Sequence, residues 1–579
     1  MNVIVPLLIT LPLFFLGYMI YSRYIGRIFQ SDDANTTPAN ELRDDRDFVP
    51  TKGFVLFGHH FASIAGGGPI IGPTLAILYG YIPVWLWLLF GAVFLGAVHD
   101  MSSLFTSLRE KGRSMAEVAG STLGRAGFLI FIGFTIIMLL MVTSVFLKLS
   151  AKSLTSLVPV AALNLEGTSI PVKVVMQNGA EYFHIGGIAS TSVIIISLFA
   201  PLIGYLLYRK NASVYYITPL CLALAAFSVA VGVKYPVHID TNSWMIILSV
   251  YTLFAAGIPV WLILQPRDFT NVFLLYGGIV ALLLAGIVAG LKGVTINAPA
   301  FNVAQGSARI GPLFPILFIT VACGAISGFH SLVASGTSSK QVSRESDVRR
   351  IGYGGMILEG VLALLVLLAI GAGMEFSDFV NIVYPAGKGG NPILGFAMGM
   401  GGLLEKGLGI NPVLGIVFGI LMVEGFVVTT LDTAVRLNRY LFEELWGLIF
   451  RTVPRIMKTY VFNSLLCVLM MYGLAKTNTI MDLWKIFGTA NQLMAALTLI
   501  AVAAWLYARS RRKWFVVWPA AFMMILTVTA LVWLLLTSYI PSGNLILCTA
   551  DVVLLALAVG VIALCVKFIR NRPTSAAAA

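Results

Sequence analysis

Apolar windows of roughly twenty residues recur along most of the chain and are separated by short polar segments. A helix needs about 20 mostly apolar residues to cross the hydrocarbon core of a bilayer. About fifteen windows meet this requirement, near residues 3–21, 54–79, 82–106, 126–149, 187–208, 214–233, 245–264, 271–291, 311–335, 353–373, 411–434, 459–474, 487–508, 514–536 and 545–566. A shorter apolar stretch, 393–404, is expected to be re-entrant or interfacial. The pattern predicts an all-α polytopic membrane protein with about 15 transmembrane helices.

The composition agrees, because 58% of the 579 residues are hydrophobic and only 11% are charged. The formal net charge of +13 would suggest an acidic partner in a soluble protein. When the charges are counted for each connecting segment, the positive excess alternates from one segment to the next along the chain. Every second connecting segment, from 22–53 to the C-terminal tail, belongs to one set, which contains 28 Lys and Arg and 13 Asp and Glu. The other connecting segments contain 10 Lys and Arg and 7 Asp and Glu. The positive-inside rule therefore predicts an outside N-terminus, a cytoplasmic C-terminus and no nucleic-acid partner.

The second window is broken at its centre, where residues 66–73 contain four glycines and two prolines. Irregular backbone inside a membrane is tolerated only where it faces protein or a wet cavity. A simple kink with close helix packing is the alternative, but a kink needs only one proline. The cluster favours a discontinuous helix.

A weaker break follows five windows later, at residues 255–261. Five is an odd number, so two blocks of five spans would have opposite orientations, as in the inverted repeats of many secondary transporters. The pairing predicts a leucine-transporter-like five-plus-five core with extra helices. The expected divisions are an N-terminal anchor and cytoplasmic loop (1–53), a first repeat (54–233), a second repeat (234–434), and accessory spans with a cytoplasmic tail (435–579). A third possible break, rich in glycine and serine, covers 323–331 and continues to 335–339.

Several long motifs resemble those of the carbon starvation protein A family, in its short form. They are GHHFASIAG (58–66), GPIIGP (68–73), HD (99–100), QPRD (265–268), SGFHS (327–331), TTLDT (429–433) and ANQL (490–493). The resemblance implies a bacterial inner-membrane transporter of the amino acid–polyamine–organocation superfamily. It also implies proton-driven uptake of pyruvate or peptides, expression raised on carbon starvation and, for some members, a small accessory protein.

The first break is the expected substrate site. The start of a half-helix exposes free N–H groups and a positive dipole end, and Gly66, Gly67 and Gly68 let an anion approach their backbone. Pro69 follows at the helix start. Close helix packing is the alternative role for these glycines. The breaks at 255–261 and 323–331 supply the other residues expected to bind substrate, which are Gly257, Ser327, His330 and Ser331.

Ionisable residues inside membrane spans are costly and mark functional sites by default. The five acidic span residues are Asp100, Glu359, Glu424, Asp432 and Asp551, and the four span histidines are His59, His60, His99 and His330. All except Asp551 and His330 are proton-coupling candidates, and His330 could belong to the same relay. The alternative for Asp551 is a structural role in which its carboxylate is hydrogen-bonded. The alternative for Asp432 is an ion pair with Arg436, four residues further along the same helix.

Coupling to sodium is the rival possibility. Ser331 and Ser335 lie one turn apart and could bind Na⁺ together with carbonyl groups near Ser63, or their hydroxyls could bond the preceding turn instead. The resemblance favours H⁺, and we expect no cofactor. A metal site from the histidines and Asp100 is conceivable, but no ligand spacing such as H-E-x-x-H supports one.

The sequence therefore predicts a secondary transporter that imports a small carboxylate, with pyruvate first, by proton symport. Peptide uptake is the alternative, and a membrane channel is a weaker one because the buried charges are few and scattered. An enzyme is not expected, since neither H-E-x-x-H, G-x-S-x-G nor a P-loop is present.

Overall fold

Long apolar helices account for most of the computed structural model, which describes residues 1–44, 47–160, 174–177, 179–210, 212–259, 262–386 and 389–570. Thirteen of these helices are long and apolar enough to cross a membrane, and one bent pair raises the number to fourteen. The remaining predicted window, 245–264, corresponds to a helix of 17 residues. The all-α multi-pass architecture is confirmed, with 13 to 14 candidate spans by length and composition where the windows suggested about fifteen.

The helices of the first half are α1 (Ile4–Phe29), α2 (Pro38–Glu41), α3 (Gly53–Ile64), α4 (Gly68–Tyr79), α5 (Tyr81–Arg109), α6 (Met115–Leu123), α7 (Arg125–Ser153), α8 (Ile185–Leu207), α9 (Val214–Lys234), α10 (Thr241–Gly257) and α11 (Leu264–Leu291). A small antiparallel sheet follows α7. Its strands are β1 (Val158–Pro159), β2 (Val174–Gln177) and β3 (Ala180–Phe183), in the order β1-β3-β2.

The helices of the second half are α12 (Val303–Arg309), α13 (Phe318–Val321, preceded by a π turn at Leu313–Leu317), α14 (Phe329–Gly336), α15 (Arg349–Gly373), α16 (Phe376–Val383), α17 (Pro392–Leu408), α18 (Pro412–Ile449), α19 (Tyr460–Thr477), α20 (Ile480–Ala508), α21 (Trp514–Tyr539) and α22 (Leu545–Arg570).

Short polar side chains fix where several of these helices begin. The carboxylate of Asp240 accepts the N–H groups of Asn242 and Ser243 at the start of α10. The amide oxygen of Asn411 accepts the N–H of Val413 at the start of α18, where Pro412 occupies the first helical position. Such caps satisfy N–H groups that have no partner within the helix.

The first broken helix consists of α3 and α4, which meet at a 46° bend. Helix α3 ends at Ile64, the backbone leaves helical geometry at Ala65, and α4 begins at Gly68 with Pro69 in its first turn. Proline lacks an N–H and suits a helix start, whereas in a helix interior it removes a hydrogen bond. The discontinuous helix predicted from the glycine and proline cluster is present.

The second broken helix consists of α13 and α14. Helix α13 ends at Val321, Ala322 adopts a positive φ of 27°, and regular helix resumes only at Phe329. The break predicted at 323–331 therefore includes a complete interruption of the span. Both halves are buried.

These two broken helices pack against each other, which changes the pairing suggested by the sequence. Helix α4 packs against α13 and the turn that follows it, whereas α10, which carries the break at 255–261, packs against α7, α18 and α19. Val260 and Trp261 of that break lie outside the described residues. Counting glycines and prolines locates breaks, but it does not show which helices touch: the first break contacts the break that follows Val321.

Several helices extend beyond the predicted windows. Residues 265–270 and 435–449, expected in cytoplasmic loops, belong to α11 and α18. The stretch 393–404, expected to be re-entrant or interfacial, lies within α17, which is buried between α11, α15 and α18. Polar residues at helix ends lower the apolar score of a window, although tertiary contacts keep them helical.

Candidate functional site

The crossing of the two broken helices is the most tightly packed part of the candidate site. A Cβ atom on Gly68 would lie 2.3 Å from the Cys323 sulfur, and one on Gly66 would lie 2.8 Å from the Thr430 hydroxyl oxygen. Gly67 faces Val427 of α18 and Phe146 of α7 in the same way. Only glycine allows this approach, so the three glycines place bare backbone at the crossing.

Helix α4 starts at this crossing. Gly66, Gly67, Gly68 and Pro69 are all buried, and the carbonyl of Gly67 accepts the N–H groups of Ile70 and Ile71. The N–H groups of Gly67 and Gly68 therefore lie at the positive end of the helix dipole, away from solvent. Free N–H groups at a helix start suit a carboxylate, but the space beside each glycine is filled here by a neighbouring side chain, as in the close helix packing that the sequence left open.

A chain of four ionisable side chains lies next to the second broken helix. His99 Nδ1 is 2.7 Å from Asp100 Oδ1, and Asp100 Oδ2 is 2.8 Å from His330 Nδ1. His330 Nε2 is 3.1 Å from Glu359 Oε2. All four side chains are fully buried. We call this set the histidine chain; it joins α14 to α5 and α15 and gathers four of the predicted site residues.

The two histidines of α3 point in different directions, as neighbours on one helix must. His60 is fully buried, and its Nδ1 lies 2.7 Å from the hydroxyl oxygen of Ser338 beyond the end of α14. His59 is exposed on the helix surface. Of the two, only His60 belongs to the buried region around the second broken helix.

A second buried cluster lies between α10, α11 and α18. Arg267 donates to Asp432 at 2.7 Å and to the Tyr251 hydroxyl, which itself donates to Asp432 at 2.9 Å. Thr429 donates to Asp268 at 2.7 Å beside them. We call these five residues the arginine cluster.

The arginine cluster corrects the i, i+4 pairing of Asp432 with Arg436. The Arg436 guanidinium instead donates to the carbonyls of Ala255 and Ile258, where α10 ends. The sequence did not single out Arg267, because its QPRD motif was placed in a loop. The burial of that motif in the first turn of α11 brings it to the TTLDT motif of α18.

The two remaining acidic candidates are separate from both clusters. Glu424 is fully buried and accepts a hydrogen bond from Ser153 at the end of α7. A cavity of about 20 Å³, room for roughly one water, lies between Glu424 and Arg267. Asp551 on α22 is also fully buried, and within the described part of the chain neither of its oxygens has a hydrogen-bond partner.

The three serines considered for sodium bond carbonyls of their own helices. Ser63 donates to His59, Ser331 to Gly328 and Ser335 to Ser331. This is the alternative that the sequence left open for their hydroxyls. Across residues 1–44, 47–160, 174–177, 179–210, 212–259, 262–386 and 389–570, no three His, Cys, Asp or Glu side chains are arranged to hold a metal ion.

Other predicted substrate residues divide between the crossing and elsewhere. Ser327 lies in the second break, hydrogen-bonded to Asn491 of α20. Gly257 lies at the end of α10, where a Cβ atom would be 2.5 Å from the Tyr460 ring. The structure therefore brings Ser327, His330 and Ser331 together on the second broken helix and leaves Gly257 in a different contact.

The two ends of the broken helices differ in packing. Beyond α14, Glu345 accepts from Arg109 at 2.9 Å, and the N–H of Val49 donates to Lys340. Beyond the middle of α4, a cavity of about 550 Å³ is lined by Leu75, Arg309 and other residues. Polar contacts thus link the segments on the side predicted to be cytoplasmic, whereas a wide cavity lies on the other side, next to Leu75 of α4.

Comparison with known proteins gives the family. The family model for the carbon starvation protein CstA matches residues 2–391 and 386–530. The chain belongs to the carbon starvation protein CstA family. The resemblance carried by the seven motifs is thereby confirmed over most of the chain.

Relatives in this family are named as transporters. The peptide transporter CstA of Bacillus subtilis is 32% identical over 86% of this chain and 84% of its own length. The CstA peptide transporter of Escherichia coli is 31% identical over 90% of this chain and 79% of its own length. The pyruvate/proton symporter BtsT of the same organism is 30% identical over 90% and 80%, respectively.

Among solved structures, a manganese transporter of Eremococcus coleocola covers 91% of this chain and 98% of its own, with a TM-score of 0.46 and 11% identity. The family and the named relatives show that this carbon starvation protein is a multi-pass membrane transporter and not an enzyme.

Proposed function

We propose that this transporter imports a small carboxylate, pyruvate first, together with protons, and that the histidine chain carries the coupling. The observation that supports this most is the position of His330. It lies on the second broken helix, between a carboxylate of α5 and a carboxylate of α15. A named relative that transports pyruvate with protons supports the same substrate and ion.

Charge balance explains how the histidine chain could couple a proton to movement. With His330 protonated and both carboxylates ionised, the group around His330 carries one net negative charge. One further proton on Glu359 makes it neutral. Buried net charge is costly in a membrane, so loading the proton lowers the cost of moving the second broken helix relative to its neighbours. A protonated histidine suits this position because each of its two ring nitrogens can donate to one of the carboxylates.

The substrate carboxylate would bind at the start of α4. Gly67 and Gly68 contribute backbone N–H groups at a positive helix end, the kind of site that discontinuous helices offer to anionic substrates. The 550 Å³ cavity on the side of Leu75 provides the approach, and the side linked by polar contacts lies beyond α14. Transport then requires the cavity to close and the side beyond α14 to open.

Two inverted units beginning at the broken helices fit this motion best. If α10, a helix of 17 residues, is counted as a span, the second broken helix follows the first by seven spans, an odd number that reverses its orientation. The contacts are reciprocal: α4 packs against α15, and α14 packs against α5. Each broken helix thus contacts the span that follows the other one. This division is an alternative to the one predicted from the sequence, at residue 234.

Peptide uptake is the second candidate. The 550 Å³ cavity is larger than a three-carbon acid requires, and Arg309 at its edge could attract a peptide carboxylate. Relatives named as peptide transporters point the same way. Either substrate presents a carboxylate to α4.

Transport by purified protein in liposomes tests both substrates. We expect labelled pyruvate to accumulate when the outside is more acidic than the inside, with no requirement for sodium. Accumulation of labelled dipeptides without pyruvate would replace pyruvate by peptides. Accumulation that follows a sodium gradient at constant pH would contradict proton coupling.

The bacterial inner membrane, an outside N-terminus and a cytoplasmic C-terminus complete the proposal. Reporter fusions at the two termini, one active only in the periplasm and one active only in the cytoplasm, test the orientation. Activity of the periplasmic reporter at the C-terminus would contradict it.

A further inference from the structure

Helix α20 holds the second broken helix at its interruption, although the sequence assigned it to the accessory spans. Trp484 donates its indole N–H to the carbonyl of Thr320 at 3.0 Å, and Gln492 donates to the carbonyl of Phe318 at 2.8 Å. Both acceptors lie in α13, just before the helix stops. Helix α20 therefore supplies donors where the interruption removes backbone partners.

Asn491 occupies the other side of the interruption, at the start of α14. Its side-chain oxygen accepts the N–H of Phe329 at 2.9 Å, and its backbone carbonyl accepts the N–H of Gly328 at 3.1 Å. Its amide nitrogen donates to Ser327 at 3.1 Å and lies 3.4 Å from the Cys323 sulfur. Asn491 is fully buried. A neutral oxygen thus already fills the helix start that an anion would otherwise bind.

The starts of the two broken helices are therefore not equivalent. Gly68 of α4 packs against Cys323, and Cys323 in turn contacts Asn491. The start of α4 has backbone N–H groups and no such side-chain oxygen contact among the described residues, whereas the start of α14 is occupied by Asn491. A substrate carboxylate that faced the starts of both helices would find N–H groups without an acceptor only at α4.

We propose that Asn491 is a positioning residue that keeps the start of α14 occupied and so directs the substrate carboxylate to Gly67 and Gly68. This inference rests on the carboxylate transport proposed above. It gives α20 a part in substrate selection in addition to packing.

The test compares three variants of the full-length protein in liposomes, using initial rates of pyruvate or dipeptide uptake, whichever the wild type transports. Asn491→Ala empties the start of α14, so the carboxylate gains a second, unproductive site. Unproductive binding lowers KM and the maximal rate by the same factor, here about tenfold from one buried N–H left without its acceptor. Trp484→Phe is the matched control, because it removes a donor at the same interruption and leaves Asn491 in place.

Asn491→Asp provides a conservative variant in case the alanine variant does not fold. Its carboxylate still accepts the N–H of Phe329, so the unproductive site stays closed and KM is not expected to fall; the added negative charge can only raise it, whereas Trp484→Phe should leave KM within about twofold of the wild type. A fall in maximal rate with unchanged KM in Asn491→Ala would overturn the inference, and so would equal kinetics in Asn491→Ala and Asn491→Asp. Absence of uptake of either substrate by the wild type would refute the proposed function itself.

Discussion

The histidine chain and the arginine cluster are both buried and both contain carboxylates, but their basic partners differ in kind. The basic partner in the histidine chain is the imidazole of His330, with one ring nitrogen facing each carboxylate. Arg267 stays charged under all ordinary conditions and forms a compensated pair with Asp432. The arginine cluster also contains a second carboxylate, that of Asp268, but its guanidinium cannot release a proton, whereas an imidazole can.

The histidine chain and the arginine cluster also differ in where they lie relative to the two broken helices. The histidine chain includes a residue of the second broken helix, whereas the arginine cluster joins α10, α11 and α18, outside both broken helices. Asp432 was a proton-coupling candidate in the sequence. Its permanent partner favours a structural role, and we therefore propose coupling for the first group and a structural role for the second.

The largest expected effect is on coupling. His330→Gln removes the positive charge that balances the two neighbouring carboxylates. We expect complete loss of proton-driven accumulation, with exchange of labelled for unlabelled substrate retained, because exchange requires no net proton movement. Uphill uptake and counterflow in the same liposomes measure the two activities. Accumulation by this variant at the wild-type level would show that coupling lies elsewhere.

The second effect is on stability. Arg267→Leu leaves Asp432 as an uncompensated buried charge and should lower the free energy of unfolding by about 3–5 kcal/mol. The double variant Arg267→Leu with Asp432→Leu removes both charges and should recover most of that loss. Thermal unfolding in detergent measures both. If the double variant is as unstable as the single one, the arginine cluster does more than balance charge.

A third variant separates the carboxylates of the histidine chain. Glu359→Gln fixes its position in an uncharged state that resembles the proton-loaded one. We expect exchange at near wild-type rates over a wide pH range and little accumulation. Asp432→Asn is the control outside the histidine chain, and the fraction of this variant that folds should still accumulate substrate. Loss of accumulation in the control alone would reverse the assignment of the two groups.

The smallest expected effect concerns the edge of the buried region. Ser338→Ala removes the partner of His60 Nδ1 and should cost about 0.5–1.5 kcal/mol of stability, typical of one hydrogen bond. Coupling should persist, because His60 is not part of the histidine chain. The ratio of accumulated to exchanged substrate checks this. A collapse of that ratio would add His60 to the coupling group.

The sequence predicted the ingredients of the candidate site better than their arrangement. Asp100, His330 and Glu359 were identified separately, because charge is costly in a membrane span. Their contact depends on how α5, α14 and α15 pack, and spacing along the chain carries no information about that packing.

The same limit explains the corrections. The break at Gly257 was paired with the first break by counting spans, although neighbouring helices decide which breaks meet. Arg267 was missed because a polar motif beside an apolar window looks like a loop. Its burial against Asp432 arises only when α11 and α18 come together.

Simultaneous measurement of proton and pyruvate fluxes into liposomes tests proton coupling at His330 most directly. With no imposed gradient, pyruvate entry through the wild type should carry protons inward and make the outside more alkaline. The His330→Gln variant should retain counterflow and show no proton flux. Pyruvate entry through the wild type without proton movement, or equal proton flux in the variant, would contradict the role of the histidine chain.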